Sequence, residues 1–287
     1  MNLSKYTLLN LLPDKIFLKI KYAYFFHKKL NLKAPKTFNE KLQWLKLYDR
    51  NPKYTKLVDK FLVRDFVKER IGEEYLIPLF GVYKSFDDIN FELLPNKFVL
   101  KPNHTSGDVY ICRNKNNIDY LKLKELIDYW LQRDYYKLHR EWPYKDVPRC
   151  IVAEKLLDTF NGKSLIDYKF FCFNGVPKIM FIATDRGNDT KFDFYDMNFN
   201  HIDLINGHPN AEQPIKKPET FEKMKLLASK LSKGIPHVRV DFYEVNGKIY
   251  FGEMTFYHWS GFVKFEPEKW DYILGNMVDI NKWKDKK

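Results

Sequence analysis

The sequence predicts an α+β protein, and three observations carry that prediction. Residues 1 to about 95 hold apolar runs at helical spacing, whereas residues from about 96 onward hold short strand-like runs beside turn signals. Two Asn-Gly dipeptides, Asn174-Gly175 and Asn246-Gly247, each separate two such runs, the strongest short-range hairpin signal. The chain has 287 residues, 45% of them hydrophobic and 17% aromatic. That is enough for one large domain or several lobes on a shared core, and it excludes a disordered chain.

The N-terminus, MNLSKYTLLNLLPDKIFLKIKYAYFF, is apolar but broken by Lys5, Asp14, Lys15, Lys19 and Lys21. It is neither a membrane span, which needs roughly 20 apolar residues, nor a signal peptide. Two readings fit it: a helix packed on its own domain, or a basic amphipathic helix on an anionic membrane surface. Thr37 or Asn39 caps a helix through Leu42, Trp44, Leu45 and Leu47. A further helix is expected from Lys56 to Arg70, ending before Gly72.

Strands follow Pro95-Asn96: Phe98–Leu100, then Val109–Cys112, with the polar loop PNHTSGD between them. A helix is expected from Leu121 to about Tyr136, a strand from Ile151 to Leu156, and a hairpin from Tyr168 to Ala183. Residues 185–217 read as loop with short strands, Thr220–Ser232 as an amphipathic helix, Arg239–Phe256 as a hairpin and 267–287 as a tail. The expected organisation is a mostly helical region 1–95, a small lobe 96–150 and a large lobe 151–287.

The formal net charge of +12 suits anionic partners, or reflects a lysine-rich composition without a partner. Cys112, Cys150 and Cys172 are isolated, which argues against a disulfide framework or zinc site and for a reducing compartment. No nucleic-acid motif occurs. The Asp193-Phe194-Tyr195-Asp196 spacing is wrong for the Asp-x-Asp metal motif of a nucleotide-sugar glycosyltransferase.

The hairpin "RVDFYEVNGKIYFGEMTF" carries Asp241 before its turn and Glu253 after it. A two-residue turn pairs Val245 with Lys248 and puts the acids on opposite faces. A three-residue loop pairs Val245 with Ile249 and sets Asp241 opposite Glu253. The second register places Arg239, Asp241, Tyr243, Val245, Ile249, Phe251, Glu253 and Thr255 on one face. Opposed carboxylates repel unless a cation joins them, so the residues leave two readings open: Arg239 as counterion, or a divalent magnesium ion. In "KFVLKPNHTSGD", a strand delivers Lys101 and a loop with His104, Thr105, Ser106 and Gly107. This is an ordinary turn or a cradle for phosphate oxygens. "IVAEKLL" offers Glu154 and Lys155 on what reads as an edge strand beside adenine and ribose. "LIDYKFFCF" puts Asp167, Lys169, Phe171 and Phe173 on one face, where Lys169 needs an anion, either a ligand's or that of Asp167 or Glu154.

In that order these motifs resemble the ATP-grasp superfamily, and within it the TupA-like ATP-grasp proteins of bacterial cell-surface polysaccharide and teichuronopeptide biosynthesis. The resembling segments run from "TFNEKLQWLKLYDRNPKYTKLVDK" through "IGEEYLIPLFGVYKSFDDINFELLPNKFVLKPNHTSGD" and "DYKFFCFNGVPKIMF" to "VRVDFYEVNGKIYFGEMTFYHWSGF". The resemblance implies two α+β lobes clasping ATP behind a helical region. It implies an ADP-forming carboxylate ligase working through an acyl phosphate, joining an amine to an acidic sugar in the cytoplasm or at the inner membrane face. A kinase on a sugar hydroxyl is the alternative on the same fold. Lys101 and Lys169 match the phosphate-binding lysines, Glu154 the nucleotide-binding acid, and Asp241 and Glu253 the magnesium ligands. Thr255 stands where many relatives carry Asn as a further ligand. Arg239 faces the same site as a clamp for the acceptor carboxylate, and His258 and Ser260 follow as candidate substrate contacts.

Overall fold

The computed structural model describes residues 9–157, 165–185 and 189–281. Residues 1–8 of the expected N-terminal segment and 282–287 of the tail lie outside the described residues. Among the described residues, the N-terminal part holds helices α1 (Asp14–Phe26), α2 (Phe38–Tyr48), α3 (Lys53–Val58) and α4 (Val63–Arg70). Helix α2 starts in a capping box. The Thr37 hydroxyl accepts from the Glu40 N–H at 3.1 Å, while the Glu40 carboxylate accepts from the Thr37 N–H at 3.2 Å. Thr37 is thus the cap. Asn39 instead bonds Asp271 and the Val263 carbonyl.

The helix expected over 56–70 is two helices. Asp59 breaks it, because its Oδ1 accepts from the N–H groups of Phe61 and Leu62 at 2.8 and 3.1 Å. An Asp that satisfies backbone donors locally competes with continuation of the helix.

The first sheet is antiparallel, in the order β1-β4-β2-β3, from β1 (Leu79–Tyr83), β2 (Phe98–Pro102), β3 (Tyr110–Cys112) and β4 (Ile151–Lys155). Alternation along the strands gives it two faces. Phe98, Leu100, Cys112, Ile151 and Ala153 pack with Leu123, Ile127 and Trp130 of α5 (Tyr120–Gln132). The opposite face holds Lys101 and Glu154 with Val99, Val152 and the exposed Ile111. One expectation is corrected here: β4 is an interior strand rather than an edge. The mostly helical region also contains a strand, β1. The four-stranded sheet therefore recruits residues from both sides of 96–150.

The second sheet, in the order β10-β9-β5-β6-β7-β8, comprises β5 (Asp167–Phe173), β6 (Val176–Thr184), β7 (Lys191–Asp196), β8 (His201–Ile202), β9 (His237–Val245) and β10 (Lys248–Thr255). The short α6 (Tyr135–His139) precedes it, α7 (Phe221–Ser232) covers one face, and α8 (Lys269–Met277) forms much of what read as a tail. Phe170 and Cys172 of β5 meet Phe221 and Ala228 of α7. Phe171, Phe173 and His237 on the opposite face meet Phe38 of α2. Beyond that aromatic patch this second face becomes polar.

The β9–β10 hairpin resolves the two registers by using both. Asn246 (φ 54°) and Gly247 (φ 72°) form a two-residue turn that pairs Val245 with Lys248. A bulge between Phe251 and Glu253 then shifts the register, so that Asp241 stands opposite Glu253 and Arg239 opposite Thr255. Ile249 and Phe251 consequently leave the site face and enter the core beside Phe242, a correction to the single-face reading. Gly252 is the bulged residue. A Cβ there would lie 3.1 Å from the Asp241 carbonyl oxygen and 3.2 Å from the Tyr243 ring.

Candidate active site

The strand registers line up Lys169, Asp241 and Glu253 as neighbours across β5, β9 and β10. Lys169 Nζ is 2.5 Å from Asp241 Oδ2 and 3.5 Å from Asp167 Oδ1. Arg239 grips the same carboxylate with two parallel bonds, Nε to Oδ1 and Nη2 to Oδ2, both at 2.8 Å. Its Nη2 also reaches Thr255 Oγ1 at 3.0 Å and Glu253 Oε1 at 3.5 Å, while Thr255 Oγ1 donates to Glu253 Oε1 at 3.2 Å. Asp241 is only 1% exposed. Its burial, the largest single influence, pushes the carboxyl up. The charges and hydrogen bonds of Arg239 and Lys169 together outweigh that and hold it below the usual carboxylate range.

His258 completes this cluster. Burial first, then the charge of Arg239, hold its imidazole well below the ordinary range, so the ring is neutral. Arg239 Nη1 lies 2.7 Å from Nδ1, and a guanidinium only donates. Nδ1 therefore accepts, and Nε2 carries the hydrogen donated to Asn206 Oδ1 at 2.7 Å. Ser260 is buried too and donates to Glu141 Oε1 at 2.5 Å. His258 and Ser260, expected as substrate contacts, thus spend their polar atoms inside the protein.

A second cluster stands on the face of the four-stranded sheet opposite α5. Lys101 Nζ is 2.5 Å from Glu154 Oε2, and Arg64 Nη1 of α4 is 3.3 Å from Oε1. Glu154 is therefore counterion to two cations. Lys155, one residue on, has its side chain exposed on the other face and its N–H bonded to the Pro78 carbonyl.

Of the loop residues, Ser106 and Gly107 (φ 84°) are exposed. Thr105 Oγ1 is buried without a hydrogen-bond partner. His104 does not face the loop's open side. It is buried, donates from Nε2 to the Trp130 carbonyl at 3.1 Å, and is lowered by burial to about 4. That bond packs the loop against α5.

Sequence reasoning missed Lys60, which the break at Asp59 throws toward this loop. Its ammonium bonds the Thr105 carbonyl, and Asp59 Oδ2 holds Asn103 of the same loop at 2.8 Å. Burial lowers Lys60, Glu253 opposes that, and Lys101 reinforces it. Lys60 thus lies within electrostatic reach of both clusters. Arg64 was missed for the same reason: the run Leu57, Phe61, Val63, Val67 reads as one continuous helix, and Asp59 was the available signal against it.

The donor set suits magnesium. Asp241 and Glu253 offer hard carboxylate oxygens, and magnesium typically takes one or two such ligands while keeping waters and phosphate oxygens. Among the described residues, no group of three or more His, Cys, Asp or Glu side chains is arranged to hold a metal. Each carboxylate oxygen has two lone pairs, so Asp241 retains acceptor capacity beside Arg239 and Lys169.

Two antiparallel sheets, each carrying a lysine–carboxylate cluster, make an arrangement of the ATP-grasp class. The TupA-like ATPgrasp family profile matches residues 40–279, and the chain belongs to that family. Among solved structures it is similar to D-alanine–D-alanine ligase from Bacillus anthracis, at 17% identity over 80% of this chain and 70% of that one, TM-score 0.47. It is also similar to that enzyme complexed with ATP, at 17% identity over 69% of this chain and 53% of that one, TM-score 0.40. N5-carboxyaminoimidazole ribonucleotide synthetase from Thermus thermophilus matches at 11% identity over 70% of this chain and 45% of that one, TM-score 0.39. The chain thus spans about half the length of the last two. No curated protein sequence matches it.

Proposed function

We propose that the protein is an ATP-dependent, ADP-forming ligase. It would activate the carboxylate of an acidic sugar or related acid and pass the acyl group to an amine, in synthesis of a surface polysaccharide. The observation that carries this reading is the cross-strand row Lys169, Asp241, Glu253 with Arg239 at its side, in a member of the ATP-grasp family. In this reading the small lobe is the four-stranded sheet with α5, including β1 and β4, and the large lobe is built on the six-stranded sheet.

A carboxylate is a poor electrophile. Its oxygen attacks the γ-phosphorus of ATP and ADP leaves. The amine nitrogen then attacks the acyl carbon and inorganic phosphate leaves with the bonding pair. Such transfers need positioned charge more than covalent chemistry from the protein. Lys101, Lys60 and Lys169 supply positive charge from both sheets and from the α3–α4 break. Magnesium, held by Asp241 and Glu253 with Thr255 beside them, would neutralise phosphate charge when bound. Arg239 is the candidate for the acceptor carboxylate or the moving phosphoryl group. Its Nη1 bonds neutral His258, and a neutral partner is exchanged more easily than a carboxylate. A covalent enzyme intermediate has little support: Cys112, Cys150 and Cys172 are buried, and burial pushes the last two thiols up to about 12.

The test replaces the amine with hydroxylamine. With Mg-ATP and the true acid, the expected products are a hydroxamate and ADP in equal amounts. A stable phosphate ester would instead establish a kinase, and release of AMP would exclude the acyl-phosphate route.

Among the described residues no helix is long and apolar enough to cross a membrane. Helix α1 does present Ile16, Ile20 and Tyr24 to solvent beside the exposed Lys15 and Lys19. That stripe supports peripheral contact with an anionic membrane surface. The protein is expected to sediment with phosphatidylglycerol vesicles and not with neutral ones, and an I16E/I20E variant is expected to lose that binding. Equal binding to both vesicle types would remove the proposal.

A further inference from the structure

We infer that the buried polar stripe of α2, Asn39, Gln43 and Lys46, is a positioning device for the reacting centre. It fixes the turn after β10, and through His258 it keeps the Arg239 guanidinium on Asp241 and off Glu253. The inference rests on the ligase reading above for the role of Glu253. It starts from the helix. Residues i, i+4 and i+7 share one helical face. Asn39, Gln43 and Lys46 have that spacing, and they are 1%, 0% and 1% exposed. The buried face of a helix is ordinarily apolar. Here each of the three donates to a backbone carbonyl between residues 260 and 263. Asn39 Nδ2 bonds the Val263 carbonyl at 3.2 Å, Gln43 Nε2 the Ser260 and Gly261 carbonyls at 3.1 and 2.8 Å, and Lys46 Nζ the Ser260 carbonyl at 2.7 Å. The other Lys46 donors go to the His139 carbonyl at 2.9 Å and to Gln43 Oε1 at 3.1 Å. Burying an ammonium on uncharged oxygens is costly, and an apolar side chain would also pack the helix. What the polar stripe adds is control of the carbonyls it grips.

Those carbonyls belong to a strained turn. Trp259 (φ 49°), Ser260 (φ 54°) and Gly261 (φ 65°) are consecutive residues in the left-handed region, which is unfavourable for the two that carry a Cβ. Such a conformation persists only where its surroundings over-determine it. Helix α2 abuts the turn directly: a Cβ at Gly261 would lie 2.4 Å from Gln43 Nε2 and 3.0 Å from Leu42 Cβ. From another side, Glu141 Oε1 accepts the Ser260 hydroxyl at 2.5 Å. His258 immediately precedes the turn. Its ring meets Phe171 edge to face, with centroids 4.8 Å apart, and is held at both nitrogens, by Arg239 and by Asn206. Relaxation of the turn would move the His258 backbone and break that double hold.

The consequence falls on Glu253. Arg239 places Nε and Nη2 on Asp241 and Nη1 on His258, and its Nη2 stays 3.5 Å from Glu253 Oε1, a long contact. With His258 withdrawn, Nη1 loses its acceptor, and the second acid in reach of the guanidinium is Glu253. A closer ion pair there would take up oxygens that a magnesium ion needs. The stripe thus acts without touching the ligands: the helix sets the turn, the turn sets the imidazole, and the imidazole sets the guanidinium.

The test uses the full chain and two variants, Lys46→Met and Gln43→Leu. Each is an apolar replacement of similar size, so one remains if the other fails to fold. The first readout is the imidazole nitrogen NMR spectrum of His258 at neutral pH, assigned by its loss in His258→Gln. The wild type is expected to show one tautomer, with Nδ1 bare and Nε2 protonated, and both variants to show exchange between tautomers. The second readout is the magnesium concentration at which ATP raises the melting temperature. Lys46→Met is expected to raise that concentration about tenfold and Gln43→Leu about threefold, as loss of a group that orients a metal's surroundings does. A folded variant with an unchanged His258 spectrum would overturn the inference. A changed spectrum with an unchanged magnesium requirement would overturn the link to Glu253. A wild type that Mg-ATP does not stabilise would instead overturn the ligase reading. The imidazole spectrum needs no nucleotide and would still decide whether α2 sets His258.

Discussion

Replacing Glu253 by Gln is expected to lower turnover by about 10²-fold or more while leaving the fold intact. The two halves of that expectation have separate grounds. The Glu253 side chain is 29% exposed, and its contacts to Thr255 and Arg239 are long, 3.2 and 3.5 Å. The amide keeps the shape and an oxygen to accept from Thr255, so little packing is lost. What disappears is one negative charge, next to Asp241 and opposite the lysines, and with it a hard anionic ligand. The checks are the rate of ADP release under saturating Mg-ATP and the melting temperature without nucleotide. The melting point is expected to move by no more than about 4 °C. A variant that retains over half of wild-type turnover would remove Glu253 from the reacting centre and leave the paired-acid reading without support.

That pair was the most legible part of the site. Asn246-Gly247 announced the hairpin, and alternation placed Asp241 with Arg239 and Lys169 with Asp167. The register was harder. Both candidate turns were derivable, yet the protein uses one at the tip and obtains the other's pairing at the site end through a bulge at Gly252. A Gly inside a strand hints at a bulge, but its position becomes decisive only once the neighbouring Asp241 carbonyl and Tyr243 ring are in place. The same limit hid Lys60 and Arg64. Their role depends on where a helix stops, and continuous apolar spacing across Asp59 concealed the stop. His104 went the other way. As a residue type in a polar loop it suits phosphate, but its burial against α5 depends on long-range packing. The first sheet crosses the expected boundary at 150 because β1 is short and only partly buried, and pairing β4 between β1 and β2 is a non-local choice.

Asp241→Asn is expected to be the most damaging single change in stability. In the folded protein this carboxylate is the shared partner of Arg239, at two bonds of 2.8 Å, and of Lys169 at 2.5 Å. Asn offers one neutral oxygen in place of two charged ones, and its amide hydrogens point at cations. Removing one partner of a buried ion cluster leaves uncompensated charge, a loss of about 3–5 kcal/mol. Urea denaturation should show that as a lower midpoint with an unchanged slope.

The pH dependence separates charge from shape. Asp241 is held below its unfolded value, so its contribution is fully present above the unfolded pKa, about 3.9. It is lost as pH falls through the lower folded value. The stability gap between wild type and Asp241→Asn is therefore expected to be constant from neutral pH down to about 5, and to narrow only below about 4. Lys169→Met in the Asn background should recover part of the loss, since it removes one of the stranded cations while keeping an apolar side chain on β5. A gap already closing near pH 6, or no recovery in the double variant, would mean that Asp241 stabilises the sheet by hydrogen-bond geometry alone rather than as the anion of a cationic cluster.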